Sequence, residues 1–104
     1  MDKPKPTYQL TKIKELVGDG LCKLTISAEQ TAHSLGFSAS EVKDVILGLE
    51  RNDFYKSTTE HYNHKVWQDV YIKRIERIDL YIKLKIVEME DTYLLILSFK
   101  EDTV

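Results

Sequence analysis

Hydrophobic positions in the first part of the chain recur at the spacing of an α-helix. One helical face is predicted to carry Leu10, Ile13, Leu16 and Val17. Gly18 and Gly20 follow at once, and glycine commonly ends a helix. Residues 21–25 then predict a short extended piece.

Two further helices are indicated by capping boxes, in which a serine caps the helix and a Glu or Gln three residues on reaches back. Ser27 with Gln30 predicts the start of a short helix that Gly36 ends. Ser38 with Glu41 predicts the start of another helix. The apolar stripe of this last helix is Val42, Val45, Ile46 and Leu49.

From Phe54 onward the pattern changes to that of β-strands. Strand-like segments cover residues 52–57, 66–71, 79–86 and 93–100. In segment 79–86 the two faces alternate strictly. One face presents Tyr81 beside Lys83 and Lys85, and the core face carries Leu80, Ile82, Leu84 and Ile86.

Segment 93–100 is apolar on both faces, which is typical of a central strand that is covered on both sides. Simple alternation places Phe99 with Tyr93, Leu95 and Leu97, and puts Lys100 on the opposite face. The short polar turn at residues 88–92 predicts that segments 79–86 and 93–100 pair as an antiparallel hairpin.

The order of these elements predicts an α+β fold. An antiparallel sheet meander in the C-terminal half is expected to pack with about three N-terminal α-helices on one face. The length of 104 residues corresponds to a single domain over residues 1–104. Residues 1–6 hold both prolines and are expected to form a flexible arm.

Composition narrows the function classes. The net charge is −2, which counts against a binder driven by overall positive charge but does not exclude a local basic groove. No apolar run reaches the roughly 20 residues of a membrane span, and the N-terminus lacks the apolar core of a signal peptide. A cytoplasmic location is therefore expected. The single cysteine, Cys22, is expected to be a buried thiol.

The strand-like segments carry the strongest candidate chemistry. Four side chains on separate segments can converge on one concave sheet face: Lys56, Gln68, Tyr81 and Lys100. Lysine, glutamine and tyrosine can bind and cleave a phosphodiester without a metal ion. By simple alternation Gln68 shares a face with Val70 and Ile72, so a bulge or a strand end is needed to expose it.

Several residues have two interpretations. Tyr55, Trp67 and Tyr71 suit the core of a sheet, and their alternative role is stacking on splayed RNA bases. His61 and His64 form a weak metal-site pattern, because no cysteine or carboxylate stands at a suitable spacing. Two exposed loop histidines are the favoured interpretation, with a proton-transfer role for His64 as the alternative.

The helix pair at residues 27–36 and 39–50 has the outline of a helix-turn-helix. The second helix carries Glu41, Asp44 and Glu50 against Lys43 and Arg51. So acidic a helix is unusual for one that faces DNA phosphates. A DNA-binding regulator therefore remains a minor alternative.

Four stretches resemble the MqsR toxins, the motility quorum-sensing regulator family of mRNA interferases, which belong to the RelE-like fold. The matching residues are Asp53-Phe54-Tyr55-Lys56-Ser57, His64-x-x-Trp67-Gln68-Asp69-Val70-Tyr71, Tyr81-x-Lys83 and Leu97-Ser98-Phe99-Lys100-Glu101. The resemblance covers about residues 8–101. It departs at the arm 1–7, the loop 59–63 and residues 72–74.

The resemblance implies a ribosome-independent, metal-independent endoribonuclease without cofactors. It implies cleavage of single-stranded mRNA at short GC-containing sites. It also implies a cognate MqsA-like antitoxin that has a zinc-binding N-terminal and a DNA-binding C-terminal domain. The residues carried over as catalytic are Lys56, Gln68, Tyr81 and Lys100, and the candidate RNA-binding residues are Tyr55, Lys73, Arg74 and Lys83. The competing hypothesis is a non-catalytic RNA- or protein-binding module on the same fold.

Overall fold

The computed structural model of the protein describes residues 1–103. Its helices are α1 (Leu10–Gly18), α2 (Ile26–Ser34) and α3 (Ala39–Leu47), followed by one 3-10 turn (Arg51–Asp53). Its strands are β1 (Asp2–Lys3), β2 (Cys22–Leu24), β3 (Phe54–Thr59), β4 (Trp67–Ile75), β5 (Ile78–Glu88) and β6 (Thr92–Glu101). The predicted α+β class is confirmed.

All strands of the described chain form one sheet in the order β1-β3-β4-β5-β6-β2. Strands β3 to β6 make the expected antiparallel meander. The predicted extended piece is confirmed as β2, but it pairs parallel to β6. The sheet is therefore mixed, and β6 is an inner strand because β2 covers its outer edge.

The N-terminal residues join the sheet, which differs from the flexible arm that the sequence indicated. Asp2 and Lys3 pair antiparallel with Thr58 and Ser57 of β3. The α-amino group of Met1 donates a hydrogen bond to Thr59 Oγ1 at 3.3 Å. Proline-rich termini are poorly ordered unless something ties them down, and here the free edge of β3 does so.

Helix starts were predicted correctly in one case and wrongly in another. The Ser38 box is confirmed: Ser38 Oγ accepts from Glu41 N at 3.1 Å, and Glu41 Oε1 accepts from Ser38 N at 3.0 Å. Ser27 is not the cap of α2, because Thr25 Oγ1 accepts from Ala28 N at 3.1 Å. The same hydroxyl lies 3.2 Å from Leu97 O of β6, a tertiary contact that fixes the earlier start.

The core lies between the helices and one face of the sheet. The helices contribute Ile13, Leu16, Val17, Ala28, Ala32, Val42 and Ile46, and the sheet contributes Tyr71, Leu80, Ile82, Leu84, Leu94, Ile96 and Phe99. Each fully buried Leu or Ile stabilises the fold by about 2 kcal/mol. Cys22 is buried, as expected. Among residues 1–103 no helix has the length and apolarity needed to cross a membrane.

A β-bulge in β6 changes the predicted distribution of its side chains. Leu84 pairs with Ile96 but Lys83 pairs with Ser98, so Leu97 is the extra residue. Phe99 therefore joins Leu94 and Ile96 on the core face, and its predicted placement with Leu95 was wrong. Lys100 lies opposite Phe99 across the strand, as expected, and faces Tyr81 of β5.

Candidate active site

The open face of the sheet, defined here as the side turned away from the helices, carries the candidate catalytic lysines. One row of side chains crosses four strands on this face: Lys56 of β3, Val70 of β4, Lys83 of β5 and Ser98 of β6. Adjacent strands lie about 4.8 Å apart, so Lys56 and Lys83 are separated by roughly 10 Å of backbone. Val70, which is fully buried, fills the space between the two lysines.

The next row brings Tyr81 and Lys100 together. These residues are direct partners of β5 and β6, and Lys100 Nζ lies 5.2 Å from the centre of the Tyr81 ring. Ile72 of β4 faces Tyr81 from the other side. The Leu97 bulge is what places Lys100 here, because without the extra residue the strand would turn this lysine towards the core.

A second bulge presents Tyr55 to solvent. Phe54 pairs with Tyr71 but Lys56 pairs with Val70, so Tyr55 is the extra residue of β3. Its side chain is 58% exposed, and Lys56 Nζ lies 5.4 Å from its ring centre. An exposed aromatic ring beside a lysine suits stacking on an unpaired base.

Gln68 lies one row further along the open face, where its β3 partner is Thr58. It shares this face with Val70 and Ile72, as simple alternation requires, and it is the second residue of β4. The strand end does not make Gln68 an exposed residue, although Val70 and Ile72 lie on the open face and Tyr71 points to the core. Gln68 is only 7% exposed, and its Nε2 donates to Glu60 Oε2 at 3.4 Å.

Burial and charge shift the pKa values of two side chains at the centre of this face. Burial raises the pKa of Tyr81 above its ordinary value, and the nearby Lys56 ammonium only partly opposes that. Burial, followed by the charges of Lys100 and Lys56, lowers the pKa of Lys83. Neighbouring positive charge therefore does not make Tyr81 a ready phenolate, since desolvation of the phenolate is the larger effect. Lys83 is the group whose protonated form is destabilised.

The remaining sequence candidates divide between the two faces. Arg74 lies on the open face beyond Ile72, where its Nη1 contacts Asp79 Oδ1 at 3.4 Å. Lys73 lies on the helix side, and its Nζ contacts Asp53 Oδ2 at 3.3 Å. The structure therefore does not bring Lys73 together with the other candidate RNA-binding residues.

Aromatic and histidine placements follow the sequence interpretations in part. Tyr71 is a core residue, 1% exposed, and Trp67 is half-buried. His61 and His64 are exposed loop residues, as favoured, and the His61 ring packs edge-on against Tyr62. Within residues 1–103 no group of three or more His, Cys, Asp and Glu side chains has an arrangement that could hold a metal ion.

Three residues of the open face were not among the sequence candidates for the site. Asp2 Oδ2 lies 3.3 Å from Lys56 Nζ, and Glu60 Oε2 lies 3.0 Å from Lys85 Nζ. The alternation of β5 did place Lys85 beside Lys83. Nothing in the local sequence could place Asp2 or Glu60, because each depends on a contact between separate strands.

A large cavity lies on the helix side of the sheet, away from the candidate catalytic lysines. Its volume is about 700 Å³, and its lining includes Lys14, Arg51, Phe54 and Tyr71. The catalytic candidates instead line an open surface. An extended strand of nucleic acid can lie along such a surface, whereas a deep pocket suits a small molecule.

The fold and the open face together define a class: a small α+β domain whose sheet presents lysines and tyrosines on one open face. Comparison with known proteins then gives the family. Residues 5–101 match the family described as "Motility quorum-sensing regulator, toxin of MqsA", and the chain belongs to this family. The predicted resemblance to the MqsR toxins is confirmed.

A curated relative extends this result. The mRNA interferase toxin MqsR of Escherichia coli (strain K12) is 39% identical over 101 residues, which cover 97% of this chain and 99% of that protein. The similarity therefore spans nearly the whole chain. The relative's name describes an endoribonuclease, which supports the prediction that this chain is an enzyme.

Proposed function

We propose that this chain is the toxin of a type II toxin–antitoxin system, an endoribonuclease that cleaves single-stranded mRNA in the cytoplasm. The observation that most supports this proposal is that one sheet face brings together Lys56, Tyr81, Lys83 and Lys100. Within residues 1–103, Lys83 and Lys100 make no ion pair with a carboxylate. This face concentrates positive charge on a protein of net charge −2, and so attracts a phosphodiester locally.

The proposed reaction uses the nucleophile that RNA itself supplies. The 2′-oxygen attacks the adjacent phosphorus, the bond from phosphorus to the 5′-oxygen breaks, and the 2′-hydroxyl proton passes to a base. The leaving 5′-oxygen takes up a proton. The products are a 2′,3′-cyclic phosphate and a 5′-hydroxyl, so the atoms balance without water, metal ion or cofactor.

The geometry suggests a role for each of the central groups. Lys56 and Lys100 flank the centre of the face and suit the nonbridging oxygens of the phosphate, where negative charge grows in the transition state. Tyr81 keeps its proton because its pKa is raised, so it suits hydrogen-bond donation to the phosphate or the leaving oxygen. Lys83, whose pKa is lowered, is the best candidate to accept the 2′-hydroxyl proton.

The substrate and the partner are further parts of the proposal. The family description and the name of the relative support an mRNA substrate and a cognate MqsA-like antitoxin that neutralises the toxin. Cleavage at GC-containing sites of the GCU kind inhibits translation and growth. Tyr55 and Lys83 suit contacts to the RNA, and Arg74 extends the same face.

The experiment is cleavage of a labelled single-stranded RNA that contains GCU and GCA sites, by purified protein in excess EDTA. Discrete cuts are expected from the wild type. Tyr81→Phe should lower the rate at least tenfold, because only one hydroxyl is lost. Tyr62→Phe is the matched control, since Tyr62 is 95% exposed in the β3–β4 loop.

Each result decides between the proposal and its main competitor. Intact RNA with a folded wild-type protein would leave a non-catalytic binding module as the better hypothesis. Cleavage by the wild type at an unchanged rate in Tyr81→Phe would remove Tyr81 from the mechanism. Cuts that disappear in EDTA would contradict a metal-independent reaction.

A further inference from the structure

Glu60 connects two open-face residues that belong to different strands. Its Oε2 accepts a hydrogen bond from Lys85 Nζ at 3.0 Å and from Gln68 Nε2 at 3.4 Å. The side chains of Glu60 and Lys85 are 29% and 18% exposed, so the pair is partly shielded from water. A charged contact that is shielded in this way holds its geometry better than one on an open surface.

The backbone of Glu60 is fixed as well. Its N–H donates to Val66 O at 2.9 Å, the contact that closes the loop between β3 and β4 just beyond Thr59. The carboxylate therefore projects from the closed end of a hairpin, next to the row that contains Gln68. Lys85 reaches it from β5, on the same face.

The contact with Glu60 determines which atom of the Gln68 amide is available. A carboxylate only accepts hydrogen bonds, so the amide nitrogen must face it. Gln68 Oε1 accepts no hydrogen bond from residues 1–103. In the same part of the chain, every buried side-chain nitrogen or oxygen has a hydrogen-bond partner. Oε1 therefore belongs to the 7% of Gln68 that solvent reaches.

We propose that Glu60, held by Lys85, is a positioning residue that turns the Gln68 carboxamide so that its oxygen faces the RNA. This inference rests on the proposed function. A nonbridging phosphate oxygen is an acceptor and cannot pair with an amide oxygen. The other donors that RNA offers near the cut are the 2′-hydroxyl, whose proton the reaction removes, and the amino groups of the bases. Gln68 therefore accepts a hydrogen bond from an amino group on a base edge next to the cut, and it contributes to the choice of cleavage site.

A double-mutant cycle tests whether Glu60 acts through Gln68. Glu60→Gln can present either end of an amide and so releases the fixed orientation. It should lower kcat/KM about tenfold in the wild-type background, the value of a hydrogen bond to a charged group. In the Gln68→Ala background the same change should have less than about a twofold effect, because the group that it positions is absent.

Glu90→Gln is the matched control, since it removes the same charge from the exposed turn between β5 and β6. Equal losses from Glu60→Gln with and without Gln68 would overturn the proposal. So would an equal loss from Glu90→Gln, which would mean that charge alone matters. Thermal unfolding of every variant shows whether the fold is retained.

The RNA supplies a second readout, which a merely structural role would not change. Each base beside the cut is replaced in turn by its analogue without the exocyclic amino group. The wild type should cleave one of these RNAs about tenfold more slowly, and Gln68→Ala and Glu60→Gln should discriminate far less. Equal discrimination by the wild type and Gln68→Ala would overturn the base-edge assignment.

A measurement without RNA separates this inference from the proposed function. The side-chain amide signals of Gln68 in a ¹⁵N-labelled protein should shift in Glu60→Gln and stay in place in Glu90→Gln. If the shift occurs but the wild type cleaves no RNA, the proposed function fails and only the Glu60–Gln68 contact stands. If cleavage occurs and the shift does not, Glu60 has no positioning role.

Discussion

Lys73 and Lys83 lie on opposite faces of one sheet, and their surroundings are opposite as well. Lys73, on the helix side, has Asp53 at 3.3 Å, and both side chains are at least four-fifths buried. Lys83, on the open face, has Lys56 and Lys100 as its charged neighbours, and its pKa is lowered. The first arrangement neutralises a charge to make burial tolerable, whereas the second keeps positive charges together at a cost.

Under the proposed function, this difference separates a structural lysine from one that acts on RNA. A sheet that needed only stability would place a carboxylate beside Lys83, as it does beside Lys73. Three lysines kept near one another are unfavourable until an anion arrives, so the cluster is more stable with a bound phosphate than without one. Perturbed pKa values are common at active sites for this reason.

The most direct test of this comparison removes the ammonium group of Lys83 and, separately, that of Lys73. Lys83→Met keeps the length of the side chain but loses the base and the charge. We expect kcat/KM to fall by about a hundredfold, the contribution of one positioned proton-transfer group. The measurement is cleavage of the GCU-containing RNA at saturating and at limiting substrate. A loss of less than about threefold would mean that Lys83 only adds to the field of the face.

A pH profile tests the same lysine without removing it. If Lys83 acts as the base, only its neutral form is active, so the rate should rise about tenfold per pH unit below its pKa. Because burial and neighbouring charge lower that pKa from its ordinary 10.5, the rise should end at a lower pH than for an ordinary lysine. Tyr81, whose pKa is raised, should keep its proton across the same range.

Lys83→Arg is the control for the pH profile. Arginine keeps the charge but does not lose its proton in this range. A slow rate that no longer rises with pH is expected from this variant. A profile that still rises as in the wild type would assign the titration to another group.

The sequence predicted most of the meander and the open face, and the reasons for the failures are physical. Alternation alone placed Tyr81 with Lys83 and Lys85, because one face of β5 is buried and fixes its register. It could not locate the bulges at Tyr55 and Leu97, which depend on pairing with β4 and β5. It did not show that Val70 and Ile72, which share a face with Gln68, lie on the open face, where Val70 separates Lys56 from Lys83.

For a related reason, the sequence could not predict the ion pairs of the site. Asp2 with Lys56 and Glu60 with Lys85 are 54 and 25 residues apart in the chain. The prediction of a flexible arm from two prolines took no account of the free edge of β3, with which β1 pairs. Local patterns describe how a strand divides its faces, but contacts between strands decide which charges meet.

Lys73→Met should leave cleavage unchanged and lower the free energy of unfolding by about 1 kcal/mol. The loss is moderate because Asp53 Oδ2 also accepts a hydrogen bond from Glu50 N at 2.8 Å, so it keeps one partner. Chemical denaturation measures the change, and the RNA assay under the same conditions gives the activity. A rate that falls as far as in Lys83→Met would mean that the two faces of the sheet do not differ in function.

Asp2→Asn is expected to have the smallest effect on activity, and it gives the finest test of the comparison between the two faces of the sheet. Among residues 1–103, Lys56 is the one lysine of the cluster that has a carboxylate partner, and Asp2 is about half-exposed. The Thr58 hydroxyl and, after it, the Lys56 ammonium lower the pKa of Asp2, so the carboxylate stays charged at neutral pH and competes with phosphate for Lys56. Removing its charge should lower KM for RNA about twofold, the usual size of an exposed ion pair, with kcat unchanged.

Two comparisons decide what the Asp2→Asn result means. Asp91→Asn, in the exposed turn between β5 and β6, removes the same charge at a distance from Lys56 and should change KM less. Added salt should shrink the difference between wild type and Asp2→Asn, because screening weakens the competing contact. A raised KM would instead show that Asp2 holds Lys56 in position, and β1 would then be part of the active site.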